Sequence, residues 1–312
     1  MIDLRAGKKR AIIILNGLSL KKKILYHEYL PAISQLFDVE VHETLSLNDA
    51  RNLASKFTDK YVDVIIAAGG DGTIHQVVNG VLKGHENERK LPVIGVLPIG
   101  SGNDFARGAG LKANIDQTLK VLSAFQVRPI DVGMVEYNLH PGPESERAFV
   151  YFVNVADIGM GPVVVGKVNN SGRPFGSAVA YYKSIINTFI TYKPLAVKAV
   201  TPEWSWEGNA RTLAVANGKY FGNGLCIAPD AVMDDRMFSV FICGNVSVFD
   251  FIMQTAKLKK GKKVTLDEVS YKTATAIDFT STVECPIEAD GEILGWLPAK
   301  IRMVERQLNF LI

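Results

Sequence analysis

The sequence predicts an α/β N-terminal domain built on a parallel sheet, joined to a C-terminal antiparallel β-sandwich domain. Three observations carry that prediction. Short Val/Ile-rich runs alternate with helical patterns up to about Ile130, a Pro/Gly/Glu-rich loop from His140 to Glu146 interrupts the chain, and the remainder is mostly strand-like. With 312 residues and 47% hydrophobic content, the chain can bury a large core, and about two domains are expected.

Taken in order, Ala11–Leu15, Val39–His42, Val62–Ala68 and Val93–Leu97 read as four short strands. Between them, Leu47, Ala50, Leu53, Ala54 and Phe57 fall on one helical face, as do Ile74, Val77, Val78, Val81 and Leu82. Both stripes are read as core packed on the sheet. Beyond Asp131-Val132-Gly133, strand-like runs span Ala148–Val155, Leu195–Thr201, Arg211–Asn217, Phe238–Cys243 and Ala274–Phe279. Only Ser177–Thr191 and Val248–Leu258 read as helical there. Trp204 and Trp206 share one strand face by period two, and a core role is favoured over an interfacial belt.

Composition excludes several classes. A net charge of +3 is too small to imply nucleic acid, and none is expected as a partner. Cys226, Cys243 and Cys285 are odd in number and widely spaced, so neither a disulfide framework nor a thiolate zinc site is suggested. Asp3, Lys8, Lys9 and Arg10, followed by a short apolar run, do not read as a signal peptide. No stretch approaches the ~20 apolar residues that span a bilayer. A cytoplasmic protein is expected, with any membrane contact peripheral and transient at the inner face.

Two loops point to chemistry. Gly69-Gly70-Asp71-Gly72-Thr73 lies between a buried strand and an amphipathic helix, where glycines permit close backbone approach and a helix N-terminus offers N–H groups to an anion. Asp71 would repel a bare phosphate, so it makes sense beside Mg²⁺ or an acceptor hydroxyl. The ordinary alternative is a strand-to-helix turn with Asp or Thr as a cap. The second loop, Pro98 to Arg107, contains Gly100, Ser101, Gly102, Asn103 and Asp104 and also follows a strand. In a parallel sheet both loops, with Asn16 and Thr44 after the first two strands, reach one edge and converge on one nucleotide. There is no Gly-x4-Gly-Lys-Ser/Thr string, and Phe105 stands where a dinucleotide fingerprint needs its third glycine.

The sequence resembles the bacterial diacylglycerol kinase-like lipid kinases, relatives of sphingosine and ceramide kinases. The likeness rests on Gly69–Thr73, Gly100–Asp104, Asp131-Val132-Gly133 and Asp290-Gly291-Glu292, and it spans nearly the whole chain. The first loop alone is shared with NAD kinases. The resemblance implies domains at 1–132 plus 301–312 and at 133–300, with the last residues returning to the first domain. It implies an ATP- and Mg²⁺-dependent transfer to the hydroxyl of a lipid alcohol such as diacylglycerol, at the membrane surface. Nucleotide contacts would come from Asn16, Thr44, Gly70, Asp71, Gly72, Thr73, Ile74, His75, Gln76 and Ser101, with His75 facing the ligand. Asp71 and Asp104 would belong to the catalytic network, and the base would be Asp290 or Glu292, with Glu292 favoured. Mg²⁺ would be held by the Asp235 side chain and the carbonyls of Val232 and Met237; the ordinary alternative there is a solvated acidic turn.

The sequence departs from the family at three places. Asn16-Gly17 replaces Asn-Pro, Arg236 stands where glycine is usual, and Ser101 replaces threonine with its hydroxyl kept. Lys257, Lys259, Lys260, Lys262 and Lys263 form the densest basic cluster, readable as a headgroup-binding patch or as a solvated helix end. Two rival functions stay open, an NAD kinase-like enzyme and a non-catalytic nucleotide- or lipid-binding regulator. A homodimer is also left open.

Overall fold

The computed structural model describes residues 7–19, 21–46, 48–60, 62–83, 90–170 and 178–312, so Leu47 and Ser177 lie outside the described residues. The chain divides into two compact units, residues 1–130 with 306–312, and residues 131–305.

The first unit opens with β1 (Arg10–Leu15), then α1 (Lys22–Ile24), which continues through a π turn (Leu25–Tyr29) into α2 (Leu30–Leu36). It goes on with β2 (Asp38–Glu43), α3 (Asp49–Thr58), β3 (Val64–Gly69), α4 (Asp71–Leu82), β4 (Val93–Pro98), α5 (Asp104–Gly108), α6 (Ile115–Ala124) and β5 (Val127–Ile130). The sheet order is β2-β1-β3-β4, followed by the chain's terminal strand, Leu308–Leu311, and then β5. β1 to β4 are mutually parallel. The terminal strand runs parallel to β4 and antiparallel to β5.

β1 and β3 are buried along both faces, which is why they read as continuous apolar runs instead of alternating ones. One face packs Ala11, Ile13, Leu15, Val64 and Ile66 against Leu25, Tyr29 and Ile33. Each such side chain contributes about 1.5–3 kcal/mol on burial. The order turns outward from β1 to β2 and then back past β1 to β3, so the loops after β1 and β3 flank a topological switch point.

The second unit comprises β6 (Gly133–Asn138), β7 (Arg147–Phe152), β8 (Val155–Gly159), α7 (Met160–Asn170), α8 (Ala178–Thr191), β9 (Leu195–Val200), β10 (Ser205–Ala210) and β11 (Thr212–Ala216). It continues with β12 (Tyr220–Phe221), β13 (Leu225–Cys226), β14 (Phe238–Cys243), α9 (Val248–Lys259), β15 (Val269–Ala274), β16 (Ala276–Ser281), β17 (Pro286–Ala289) and β18 (Glu292–Met303). An antiparallel sheet runs β10-β9-β16-β18-β17-β8-β11-β14-β15, with β6 and β7 joined through β18. One face gathers Phe152, Phe238, Phe279 and Ile287; the other, with Val155, Ala214 and Phe241, is covered by α7, α8 and α9.

Two expectations are corrected here. The run Ala148–Val155 is not one strand, because the Asp290 carboxylate accepts the backbone N–H groups of Val153, Asn154 and Val155 and so separates β7 from β8 along the chain. A third helix, α7, lies where none was expected; two glycines, Pro162 and the β-branched run Val163–Val165 conceal it. Trp204 and Trp206 pack partly buried against the inner core, and Trp204 Nε1 donates to the Thr273 carbonyl at 2.8 Å. β18 runs unbroken past Lys300 to Met303, and the second unit ends after Glu305.

Candidate functional site

In the first unit the residues after the four parallel strands come together. Gly100 N–H donates to the Gly69 carbonyl at 3.0 Å, locking the two glycine-bearing loops side by side. A Cβ on Gly100 would sit 2.3 Å from Gly70 Cα, so only glycine admits this approach. On the neighbouring strands, Gly17 N–H donates to Thr44 Oγ1 at 3.2 Å, and Asn16 N–H to the Ala68 carbonyl at 3.0 Å. A Cβ on Gly17 would lie 2.2 Å from the Thr44 carbonyl oxygen. The glycine that replaces the usual proline is therefore demanded by this chain's own packing.

Asp71 ties the loops together. Its two carboxylate oxygens accept the N–H groups of Asp104, at 3.1 Å, and Phe105, at 2.9 Å, capping the start of α5. Asp104 is nearly buried and pairs with Arg107 at 2.6 Å, and Arg107 also donates to the Gly102 carbonyl at 3.3 Å. Asn103 adopts a left-handed backbone, φ 54°, and its Nδ2 donates to the carbonyls of Pro98 and Gly100 at 3.1 and 3.2 Å. Ser101 is exposed.

The start of α4 has Gly70 as N-cap and so no side-chain cap, and the N–H groups of Thr73 and Ile74 turn back to the Gly70 carbonyl at 3.0 and 3.2 Å; a helix N-terminus of this kind favours an anion. The side chains of Thr73, Ile74 and His75 are buried, and Gln76 is half-buried. His75 is buried in α4 beside Asn79, whose Nδ2 donates to the His75 carbonyl at 2.9 Å. Sequence reading missed Lys21, whose Nζ donates to the Gly100 carbonyl at 3.1 Å and brings a cation to the paired loops. The basic run Lys21–Lys23 after the first loop was the available signal.

In the second unit Asp290 and Glu292 part company. Asp290 is 7% exposed, stands at φ 51°, and spends its carboxylate on three backbone N–H groups at 3.0–3.1 Å. Glu292, at the start of β18, is half-buried. Glu288, opposite Asp157 in the β17–β8 register, accepts the Gly291 N–H at 2.8 Å and so fixes the turn that delivers Glu292. Burial pushes the Asp157 carboxyl up to about 7, with Glu288 and the Gly161 amide opposing. Burial and the neighbouring Asp157 push Glu288 well above the usual carboxylate range.

The turn bearing Val232, Asp235 and Met237 is anchored to Asp131. The buried Asp131 carboxylate accepts the Arg236 N–H at 2.7 Å and pairs with its guanidinium at 3.3 Å, while Arg236 Nη1 donates to the Val304 carbonyl at 2.8 Å. Arg236 has φ 65°, a conformation costing a non-glycine residue about 1–2 kcal/mol. Its ion pair and hydrogen bonds offset that cost, which accounts for arginine in the place of glycine. Asp235 is exposed, and one of its oxygens accepts the Met237 N–H at 3.0 Å. Among the described residues no group of three or more His, Cys, Asp or Glu side chains is gathered as a metal site.

An apolar cavity of about 80 Å³ lies in the second unit, lined by Met160, Val164, Ile185, Phe189, Phe251 and Leu258 among others. Among the described residues on its wall the charged side chain is Arg211, which donates to the carbonyls of Phe189, Tyr192 and Val246 at 2.9–3.0 Å.

Residues 10–135 match the sequence profile of the diacylglycerol kinase catalytic domain, and residues 154–312 match that of the YegS C-terminal NAD kinase beta sandwich-like domain. The chain belongs to the diacylglycerol kinase-like family. Among its relatives, diacylglycerol kinase of Bacillus subtilis (strain 168) is 27% identical over 310 residues, covering 97% of this chain and 96% of that protein. Diacylglycerol kinase of Staphylococcus saprophyticus is 25% identical over 307 residues, covering 97% and 95%. A crystal structure of a diacylglycerol kinase from Bacillus anthracis str. Sterne superposes with TM-score 0.70 at 20% identity, over 98% of this chain and 97% of that one. A second structure from that organism gives 0.78 at 22%, over 98% and 96%. For this diacylglycerol kinase-like chain, membership accounts for the α/β unit followed by an antiparallel β unit. Among the described residues no helix is long and apolar enough to cross a membrane.

Proposed function

We propose that the protein transfers the γ-phosphoryl group of ATP to the hydroxyl of a lipid alcohol, diacylglycerol being the acceptor favoured by its relatives' names. One observation carries the nucleotide half of this reading: the Gly69–Thr73 and Gly100–Asn103 loops abut through their main chains after β3 and β4, next to the switch point between β1 and β3. There N–H groups and Lys21 suit a polyphosphate. The apolar cavity of the second unit suits part of an acyl chain.

Asp71 is the residue that holds the two phosphate-binding loops in register, so its role is positioning. Glu292 is the general base that accepts the hydroxyl proton, since Asp290 is committed to backbone N–H groups. Such a base contributes about 10²–10⁴-fold in rate. The 231–237 turn suits a hard cation: Asp235 has an exposed carboxylate with one oxygen bound to Met237 N–H, and the carbonyls of Val232 and Met237 would supply neutral oxygens. Mg²⁺, when bound, neutralises developing phosphate charge.

Incubating the protein with γ-labelled ATP, Mg²⁺, NAD and a total lipid extract, then identifying labelled species by mass spectrometry, tests this reading. A labelled lipid phosphomonoester is expected. Label on NAD but on no lipid would assign the protein to the NAD kinase side of its first-loop likeness, and nucleotide binding without any labelled product would make it a regulator.

A further inference from the structure

Helix α9 carries more apolar surface than its packing uses. Its inner face packs into the core, where Phe251 stacks on Phe189 of α8 with ring centroids 4.2 Å apart. On its outer face Phe249, Ile252 and Met253 are 71%, 49% and 59% exposed, and on α8 Ile190 is 59% exposed. At about 100° per residue the three α9 positions form one stripe, which continues through Ala256 to Lys257 and the C-cap Lys260. A helix of a soluble protein ordinarily turns its charged side outward. Here the outward face itself is divided along the axis, apolar in its first turns and basic at its end.

The basic end extends through Lys259, Lys262 and Lys263. Some of these lysines have local partners: Lys263 pairs with Asp230, Lys257 Nζ reaches Thr265 Oγ1 at 3.5 Å, and Lys259 is also engaged. Asp250, at the other end of the helix, is engaged by Ser247 Oγ at 2.6 Å.

We propose that the outer face of α8 and α9 docks on an anionic lipid bilayer, with Phe249, Ile252, Met253 and Ile190 entering the headgroup boundary and the lysines meeting lipid phosphates. The proposal rests on reading the protein as a lipid kinase, whose two-chain acceptor resides in a bilayer. Charge selects the occupant. An apolar stripe ending in clustered lysines is the pattern of helices that lie in an anionic membrane interface, whereas the same face of a second copy offers those lysines one acid, Asp250, already held by Ser247. The apolar cavity lies behind the same two helices, lined by Phe189 and Ile185 from α8 and by Phe251 and Leu258 from α9. Docking would therefore bring an acyl-chain cavity to the bilayer surface.

The test is sedimentation of the full chain, without nucleotide, with vesicles of equal parts phosphatidylglycerol and phosphatidylcholine, against pure phosphatidylcholine. The wild type should bind the anionic vesicles in a salt-sensitive way. Phe249→Ser with Met253→Ser should lower partitioning about tenfold or more, with an unchanged melt and an unchanged rate on a short-chain diacylglycerol dispersed in detergent. Lys257→Gln, Lys260→Gln and Lys262→Gln together should abolish the preference for phosphatidylglycerol. Wild-type partitioning by both variants would overturn the proposal. So would a wild type that ignores vesicles but dimerises, with its mass halved by the Phe249/Met253 double change. Vesicle binding through this face without any lipid phosphorylation would sink the kinase reading and leave the docking intact; wild-type phosphorylation of vesicle lipid by both variants would do the reverse.

Discussion

The two units assemble polar groups by opposite means. In the first, the cradle is main chain: Gly70 and Gly100 are in contact, and Asp71 spends both oxygens on the N–H groups of the next loop. In the second, carboxylates do the organising from within the fold, with Asp290 and Asp131 gripping backbone N–H groups and the Glu288–Asp157 pair buried under the turn that carries Glu292. A backbone cradle tolerates no added side chain, whereas a carboxylate scaffold tolerates no lost acceptor. The difference teaches that neighbouring acids in one motif can have unlike duties.

The largest effect is expected from the pair that separates those duties. Glu292→Gln should lower kcat about 10²–10⁴-fold with an unchanged melt. Asp290→Asn should instead cost about 1–3 kcal/mol of stability, because an amide cannot satisfy three N–H groups as a carboxylate does. Steady-state kinetics beside denaturant melts read both, and a stable, inactive Asp290→Asn with a fully active Glu292→Gln would reverse the assignment.

Next comes Gly100→Ala. The added methyl would force the loops apart, costing about 1–3 kcal/mol by overpacking and reducing ATP affinity about a hundredfold or more. Calorimetric titration with ATP measures it, and near-native affinity would show that the loop contact is dispensable.

A smaller, pH-dependent effect is expected at Glu288. Both buried acids have folded values above their unfolded ones, so the folded state holds extra protons once pH passes about 4. Their contribution is complete below that and is lost as pH rises, through about 7 for Asp157 and in the same direction for Glu288. Glu288→Gln keeps an acceptor for Gly291 N–H and removes an ionisable group. Its melting temperature should therefore gain on the wild type between pH 5.5 and 8.5; a constant difference would mean that the pair does not titrate on folding. Smallest of all, Lys21→Met should weaken ATP binding about five- to tenfold, the worth of one charge-assisted phosphate contact.

The first unit was legible because its strands are buried on both faces and read as unbroken runs, and because glycines mark the close loop contact directly. Much of the second unit was not. The break at Val153–Val155 is imposed by Asp290, more than 130 residues away in sequence, and nothing local announces it. α7 forms although its glycines, Pro162 and valines argue against a helix, because Met160 and Val164 bury in the outer core. Within the site, the paired loops were visible from their spacing, but the capping role of Asp71 and the burial of His75 depend on which way each side chain turns. Arg236 looked like a defect in the pattern and proves to be the partner of Asp131.

Hydrogen–deuterium exchange with and without ATP tests the main-chain cradle most directly. The amides of residues 69–74 and 100–105 should gain protection together at saturating ATP. Protection of one loop alone, or of neither while ATP is bound, would contradict it.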